Sequence, residues 1–361
     1  TNDDRTLTST SGGIELQRDV SGAFDLYLDA FNGTARLSSV GQAGADPTLL
    51  DVDALNAVLN GMYAVAGDAD FNGAHNVALG GNVSITTSDG GSILFGAEAG
   101  SLVGGHSLTL DSDDQVTIDL NSLDIGGRLT VDADEEIAVT TTNVLRTGGW
   151  AEFDSAGSTV TLDLGSLQTG GILTVEADEA VAFYANGIVD VGGPATFHSY
   201  SAGVDVEFVS SAFTGGDLTV NAPGAVVLSA DSSLTSGDGF YVGLSGSNPS
   251  QVNVTVEDSL SVGSDMLIGA NGRVIVTVGD ALSVGSELSL GDAGTTMVDF
   301  DVPAGWIGGD MELDGTARIT LELRSTGNAV GVLEVGGALT ADARVIVFNG
   351  PGAIDMLGFG K

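Results

Sequence analysis

A Gly-Gly-x-apolar-x-apolar phrase returns along this chain at a nearly fixed interval, and that interval constrains the fold more than any other feature. It reads Gly126-Gly127-Arg128-Leu129-Thr130-Val131, Gly170-Gly171-Ile172-Leu173-Thr174-Val175 and Gly215-Gly216-Asp217-Leu218-Thr219-Val220. Between these stand the variants Gly148-Gly149-Trp150-Ala151-Glu152-Phe153 and Gly192-Gly193-Pro194-Ala195-Thr196-Phe197. Looser forms follow at Gly237-Asp238-Gly239-Phe240, Gly263-Ser264-Asp265-Met266, Gly285-Ser286-Glu287-Leu288 and Gly308-Gly309-Asp310-Met311. The first apolar residue falls at 129, 151, 173, 195, 218, 240, 266, 288 and 311, in steps of 22, 22, 22, 23, 22, 26, 22 and 23.

Two further apolar stretches fill each repeat. One alternates strictly, as in Val116-Thr117-Ile118-Asp119-Leu120, Val160-Thr161-Leu162-Asp163-Leu164, Val204-Asp205-Val206-Glu207-Phe208 and Val252-Asn253-Val254-Thr255-Val256. Period-two alternation marks a strand with one buried and one wet face. The other stretch is short and centred on Leu123, Leu145, Leu167, Val189, Leu234, Leu260 and Leu282. A unit of three short strands cannot bury its own apolar face, so neighbours must stack. The pattern predicts an all-β protein, a parallel β-helix (β-solenoid) with about 22 residues per coil. Roughly fifteen coils at ~4.8 Å each would reach about 70 Å. Leu129, Ala151, Leu173, Ala195 and Leu218 should form one inward ladder, with Val131, Phe153, Val175, Phe197 and Val220 beside it. Alternating Leu-Val with Ala-Phe keeps the filled volume level.

A 44-residue period overlays the first: Asp111-Ser112-Asp113-Asp114 resembles Asp154-Ser155-Ala156-Gly157, and Asp132-Ala133-Asp134-Glu135 resembles Glu176-Ala177-Asp178-Glu179. Duplication of a two-coil unit accounts for it and favours one continuous domain over 1–361. Less regular coils occupy 1–107, regular coils 108–348 and a tail 349–361. The one helix candidate is Leu49 to Met62, which Gly, Asn and β-branched neighbours oppose.

Composition narrows the function. The chain carries 49 acidic against 10 basic side chains, a net charge of −39, with its single Lys at Lys361. Scattered arginines cannot neutralise a nucleic-acid backbone or dock on an anionic membrane surface. No apolar run is long enough for a helix to span a bilayer. A hydrophobic content of 42% and a mean hydropathy of +0.26 argue against disorder despite the charge. Cys is absent, which removes disulfide and thiolate-metal frameworks but fits either redox compartment. The chain opens on Thr1 without a signal-like segment, as expected of a processed or excised piece of something longer.

The stretch Asn82 to Val131, with "NVSITTSDGGSILFGAEAG", "GGHSLTL" and "GGRLTV", resembles the repeat regions of filamentous-haemagglutinin-like bacterial exoproteins. The likeness is one of repeat grammar and extends loosely from Gly13 to Val347. It implies a right-handed parallel β-helix, export to the bacterial cell surface or beyond, and a role in adhesion or surface structure.

Candidate sites follow from register. Asp111, Asp132, Asp154 and Glu176 each follow the Gly-Gly strand, one per coil, so stacking would set them about 4.8 Å apart. Such a ladder repels itself unless rotamers splay, protons bind or cations intercalate. Calcium, with bonds of ~2.4 Å, could bridge successive rungs, with Asp113, Asp134 and Asp178 supplying further oxygens. A solvated acidic corner with diffuse counter-ions is the simpler reading. His75, His106 and His198 are isolated and lack metal-ligand spacing. Asp68-Ala69-Asp70-Phe71-Asn72-Gly73 begins like a calcium loop, but Leu79 stands where the bidentate acid belongs, and a polar turn fits better. Asn32, Asn82 and Asn253 head Asn-x-Ser/Thr triplets of the kind that arise by chance.

The β-helix scaffold also hosts polysaccharide lyases and hydrolases, which need convergent carboxylates or an Arg or Lys beside the reacting uronate. Here Arg128, Arg146, Arg273, Arg318, Arg324 and Arg344 lie on distant coils. Inserts beyond the 22-residue unit are only a few residues, as at Gly246 to Ser250, too short to wall a cleft. The expected function is therefore a secreted structural or adhesive element without catalysis. An S-layer or extracellular filament subunit and a carbohydrate-active β-helix enzyme are the alternatives. The expected partners are further copies meeting end to end, other surface proteins or glycans. Thr1 to Gly12 is short and polar, Val345-Ile346-Val347-Phe348 still reads as core strand, and Ile354-Asp355-Met356-Leu357 is too brief for a helical lid. At least one end should thus be covered by another chain or by a continuation of this one.

Overall fold

The computed structural model describes residues 4–10, 12–41, 46–96, 100–243, 249–291, 295–315, 317–323, 332–349 and 353–356. Every element among them is a β-strand, and the strands pair in parallel. Contacts group the chain into two compact units, Thr1–Asp178 and Glu179–Lys361. Each is a β-solenoid. In the first, Leu129 pairs with Ala151 and Ala151 with Leu173, offsets of 22 residues. In the second, Val206 pairs with Leu228 and Val254 with Val276 at the same offset. Leu234 pairs with Leu260 across 26 residues, where the chain takes in the short insert. Most of that insert, 244–248, lies outside the described residues.

A regular coil has three faces. Its first strand leaves the glycine doublet, as Ala151–Ser155; the second follows as Val160–Leu164; the third is short, as Leu167–Thr169. Alternation sends Ala151, Phe153 and Ser155 inward and leaves Glu152 exposed. The inward ladder is as expected: Val131 is in register with Phe153 and Phe153 with Val175, all buried. In the second unit Ala195 meets Leu218 and Phe197 meets Val220. Large and small residues thus alternate down a column, and aromatic rings fill what the alanines leave. Phe183 sits edge-on to Phe197 and Phe208, with centroids 5.1 and 5.7 Å apart.

The glycine doublets are demanded by the neighbouring coil. A Cβ on Gly148 would lie 2.3 Å from the carbonyl oxygen of Gly126, and one on Gly263 2.0 Å from that of Gly237. Neither glycine has a positive φ, so close approach rather than backbone conformation excludes a side chain. The residue before the glycines is buried, an aliphatic at Ile125, Val191 and Ile307 and a hydroxyl in other repeats. Thr147 Oγ1 donates to Gly149 O at 3.1 Å, Thr169 to Gly171 O at 3.0 Å and Thr214 to Gly216 O at 3.1 Å. Gly149 O and Gly216 O also accept from the next coil, from Gly171 N at 3.0 Å and Asp238 N at 3.4 Å, so the hydroxyl gives the corner carbonyl a second bond.

The helix candidate at Leu49 to Met62 is corrected: the segment lies within strand Leu49–Val65. Leu50, Val52 and Ala54 alternate inward, Ala57 and Leu59 resume the alternation, and Tyr63 and Val65 complete it. Small irregularities between these runs, such as the register shift at Leu59/Gly61, carry the strand around corners without breaking it. The same device bends Asp25–Leu37 at Phe31, which has a φ of 37° and is turned out to solvent. These bulges shift the apparent period, which makes a bent strand look helical.

Three substitutions check register and corner together by chemical denaturation. Phe153→Ala should cost about 3–5 kcal/mol by opening a cavity between fixed coils, whereas Glu152→Ala should be near neutral. Gly148→Ala should cost about 1–3 kcal/mol, because the neighbouring carbonyl must move. A Glu152 change more damaging than the Phe153 change would place the strand one residue out of register.

Candidate functional site

The first face of the first unit carries the expected acidic ladder. Asp111 is in register with Asp132, Asp132 with Asp154, and Asp154 with Glu176. Thr86 stands one rung before Asp111. Flanking inward residues lock this alignment: Leu110, Val131, Phe153 and Val175 precede the acids and are fully buried. With one carboxylate per rung at about 4.8 Å, each ion faces a like charge across the strand. Asp132 holds its proton more tightly than an ordinary carboxyl, first because the surface around it is partly buried, then because of Asp154, Asp111, Asp134 and Glu152. Asp154 is shifted the same way, by burial and then by Glu176. Asp111 and Asp132 are exposed, and Asp154 and Glu176 half-buried.

Among the further oxygens expected, Asp134 lies close enough to act on Asp132. Asp113 and Asp178 are exposed corner residues, and Asp178 N donates to Ser155 O at 2.9 Å. Among the described residues no three His, Asp or Glu side chains converge as a ready-made cation cage. What the ladder offers is a line of oxygens, and a cation would have to bridge rungs.

The other candidates fall where a polar surface puts them. His75 and His106 are exposed, and the His198 ring lies 4.4 Å from that of Tyr200. The Asp68–Gly73 segment is the short strand Ala69–Asp70 running into a turn at Asn72–Gly73: Asp70 Oδ1 accepts from Asn72 N at 2.7 Å, Asp68 Oδ1 from Ser92 N at 2.9 Å, and Phe71 is buried. Asn82 Oδ1 accepts from Ser107 N at 3.1 Å and serves the neighbouring coil; Asn32 is exposed, and Asn253 lies within a second-face strand. Arg146 bonds Asp124 at 3.2 Å and Gln168 at 2.9 Å, Arg273 pairs with Asp299, and Arg128 lies 3.8 Å over the Trp150 ring. Arg318 and Arg344 are exposed, and Arg324 lies outside the described residues.

A second acidic column escapes the sequence reading. Tyr27, Asp51 and Asp70 are in register, and Asp29 pairs with Asp53 beside them. Tyr27, Asp29, Asp51 and Asp53 border an open recess of about 340 Å³ with Thr6 and Leu28. Asp51 also keeps its proton above the ordinary range, through burial and then through Asp70 and Asp53. The alternation Asp51-Val52-Asp53 carried the signal, but the coils here differ in length and no repeat phrase aligns them.

The ladder's proton affinity has a sign. A carboxyl whose native affinity is raised stabilises the fold while protonated, and that contribution is lost as pH rises through the raised native value. In chelator at neutral pH, Asp132→Asn should therefore raise stability by about 0.5 kcal/mol, the scale of one cross-strand pair. Below the ordinary carboxylate range the variant and the parent should melt together. A lower midpoint for the variant at neutral pH would mean that the ladder is not repulsive.

Set against known protein families, curated proteins and solved structures, the chain matches none of them.

Proposed function

We propose that this protein is a secreted or cell-surface structural and adhesive element of a bacterium, without catalytic activity, belonging to a larger exoprotein or assembly. The observation that carries the reading is repetition. Each coil turns out the same few positions on each face, so successive coils offer columns of side chains rather than groups gathered at one point. Arg146, Arg273 and Arg128 are engaged on their own faces, while Arg344 borders an open recess of about 320 Å³ with Asp314 and Asp342, the place where the rival lyase reading would have to be tested. The repeat grammar's resemblance to filamentous-haemagglutinin-like exoproteins supports export and adhesion. Calcium bridging the Asp111, Asp132, Asp154 and Glu176 rungs belongs to the same reading, since a cation would relieve the repulsion between them.

One observation favours the filament reading as a second possibility. Ile346 and Phe348 pair with the buried Ile319 and Leu321, yet are 41% and 64% exposed. Another coil laid over Val345–Asn349, from a continuation of the chain or from a second copy, would cover them. A head-to-tail contact between copies does not close on itself and so grows a filament.

Three measurements test the proposal. Beads coated with the chain should retain on extracellular matrix or cells, while polygalacturonate, alginate and β-glucan incubated with it release no new reducing ends. Sustained product release would contradict the reading. Millimolar calcium should raise the thermal midpoint by mass action, and Asp132→Asn with Asp154→Asn should remove the shift. An unchanged midpoint with and without chelator would sink the calcium assignment.

A further inference from the structure

The third face of the second unit interrupts the acidic character of the chain. Its outward column runs, in register, through Asp190, Phe213, Thr235, Ser261, Ser283, Trp306 and Glu334. Phe213 and Trp306 are 44% and 43% exposed, and the three positions between them are hydroxyls. Four rungs at about 4.8 Å set the two rings ~19 Å apart on one line. Around Phe213 the surface dips into an open recess of about 510 Å³, bordered by Ile188, Asp190, Ser211, Ser233 and Thr235. That volume is within the range of small-ligand sites. Inward positions beneath the column are buried apolar residues such as Ala212, Leu234, Leu260 and Leu282, so the two rings face out by strand alternation.

We propose that this face binds an uncharged glycan chain laid along the coil stack, its sugar rings stacking on Phe213 and Trp306 and its hydroxyls bonding the Thr235, Ser261 and Ser283 row. This rests on the adhesive reading and names its ligand class. Aromatic rings supply large apolar contact at little cost in side-chain entropy, and an exposed pair of them marks a surface that meets something. Charge selects the occupant. The acids Asp190 and Glu334 bound the column, Asp258 and Asp280 are exposed at its margin, and the net charge is −39. Anionic polysaccharides and a second copy of this chain are repelled, whereas carboxylates accept hydrogen bonds from neutral sugars. A peptide strand finds no edge here, because the backbone groups of Ala212–Thr214, Leu234–Ser236 and Leu260–Val262 are paired with the coils on either side.

The test is affinity electrophoresis of the full chain in gels containing laminarin, galactomannan or hydroxyethyl cellulose, with polygalacturonate as the acidic comparison. At least one neutral polymer should retard the chain and polygalacturonate should not. Phe213→Ala and Trp306→Ala should each weaken retardation about tenfold, equivalent to ~1.4 kcal/mol, and the double variant should migrate freely. Phe213→Tyr and Trp306→Phe keep a ring and should keep binding, which separates recognition from misfolding. Trp150→Ala, an exposed aromatic in the other unit, should change nothing. Three results would overturn the proposal: no retardation by any neutral polymer, retardation indifferent to both alanine variants, or equal retardation by polygalacturonate. Concentration-dependent self-association lost in the double variant would also overturn it, in favour of a second copy. Bead retention that survives the double variant would reject the glycan face alone; failure of retention by the parent chain would reject the adhesive reading beneath it.

Discussion

In-register contact between one coil and the next is what everything else here depends on. A single coil has three short strands and buries almost nothing alone, so apolar burial and backbone pairing both arise between coils. The tightest point of that contact is the glycine corner, where the Gly126 carbonyl oxygen occupies the space a Gly148 side chain would need. Corner hydroxyls such as Thr147 and Thr169 then add side-chain bonds to the corner carbonyls two residues on. Once corners are stacked, the alternation along each strand decides which side chains are core and which form outward columns.

The same stacking generates the electrostatics. Any residue type that repeats at one outward position becomes a column at about 4.8 Å spacing, whatever its chemistry. For Asp111, Asp132, Asp154 and Glu176 the outcome is like-charge repulsion and raised proton affinity at Asp132 and Asp154. Along the third face of the second unit it is a row of hydroxyls between two rings. A surface built in columns suits extended partners and cations held between rungs better than it suits chemistry at one convergent point.

Much of the fold was legible because the repeat and the alternation agree. The Leu-Val and Ala-Phe ladder and the exposed Glu152 follow from counting 22 residues, and the four acids, at steps of 21, 22 and 22, from aligning the strands that leave the glycine doublets. The stretch Leu49–Val65 was not legible, since bulges within the long strands shift a period of two until it resembles a helical one. The column of Tyr27, Asp51 and Asp70 has no repeat phrase to align it, because its coils differ in length. Phe213 and Trp306 were missed for another reason. The third strand of a coil is only three residues long and turns out a single side chain, so its outward column has no local pattern and emerges only after the coils are aligned. Thr147-Gly148-Gly149 and Thr169-Gly170-Gly171, by contrast, carried the corner hydroxyl in plain view.

Because the chain has no Cys, paired spin labels can be placed without background. Ser84, Thr109, Thr130, Glu152 and Thr174 occupy successive rungs of one outward column. Pulsed dipolar spectroscopy on the variant Ser84→Cys with Thr174→Cys therefore measures coil stacking directly. Four rungs predict a single narrow distribution near 19 Å, broadened by a few ångströms of label linker. A broad distribution, or one centred beyond about 30 Å, would contradict parallel in-register coils of 22 residues.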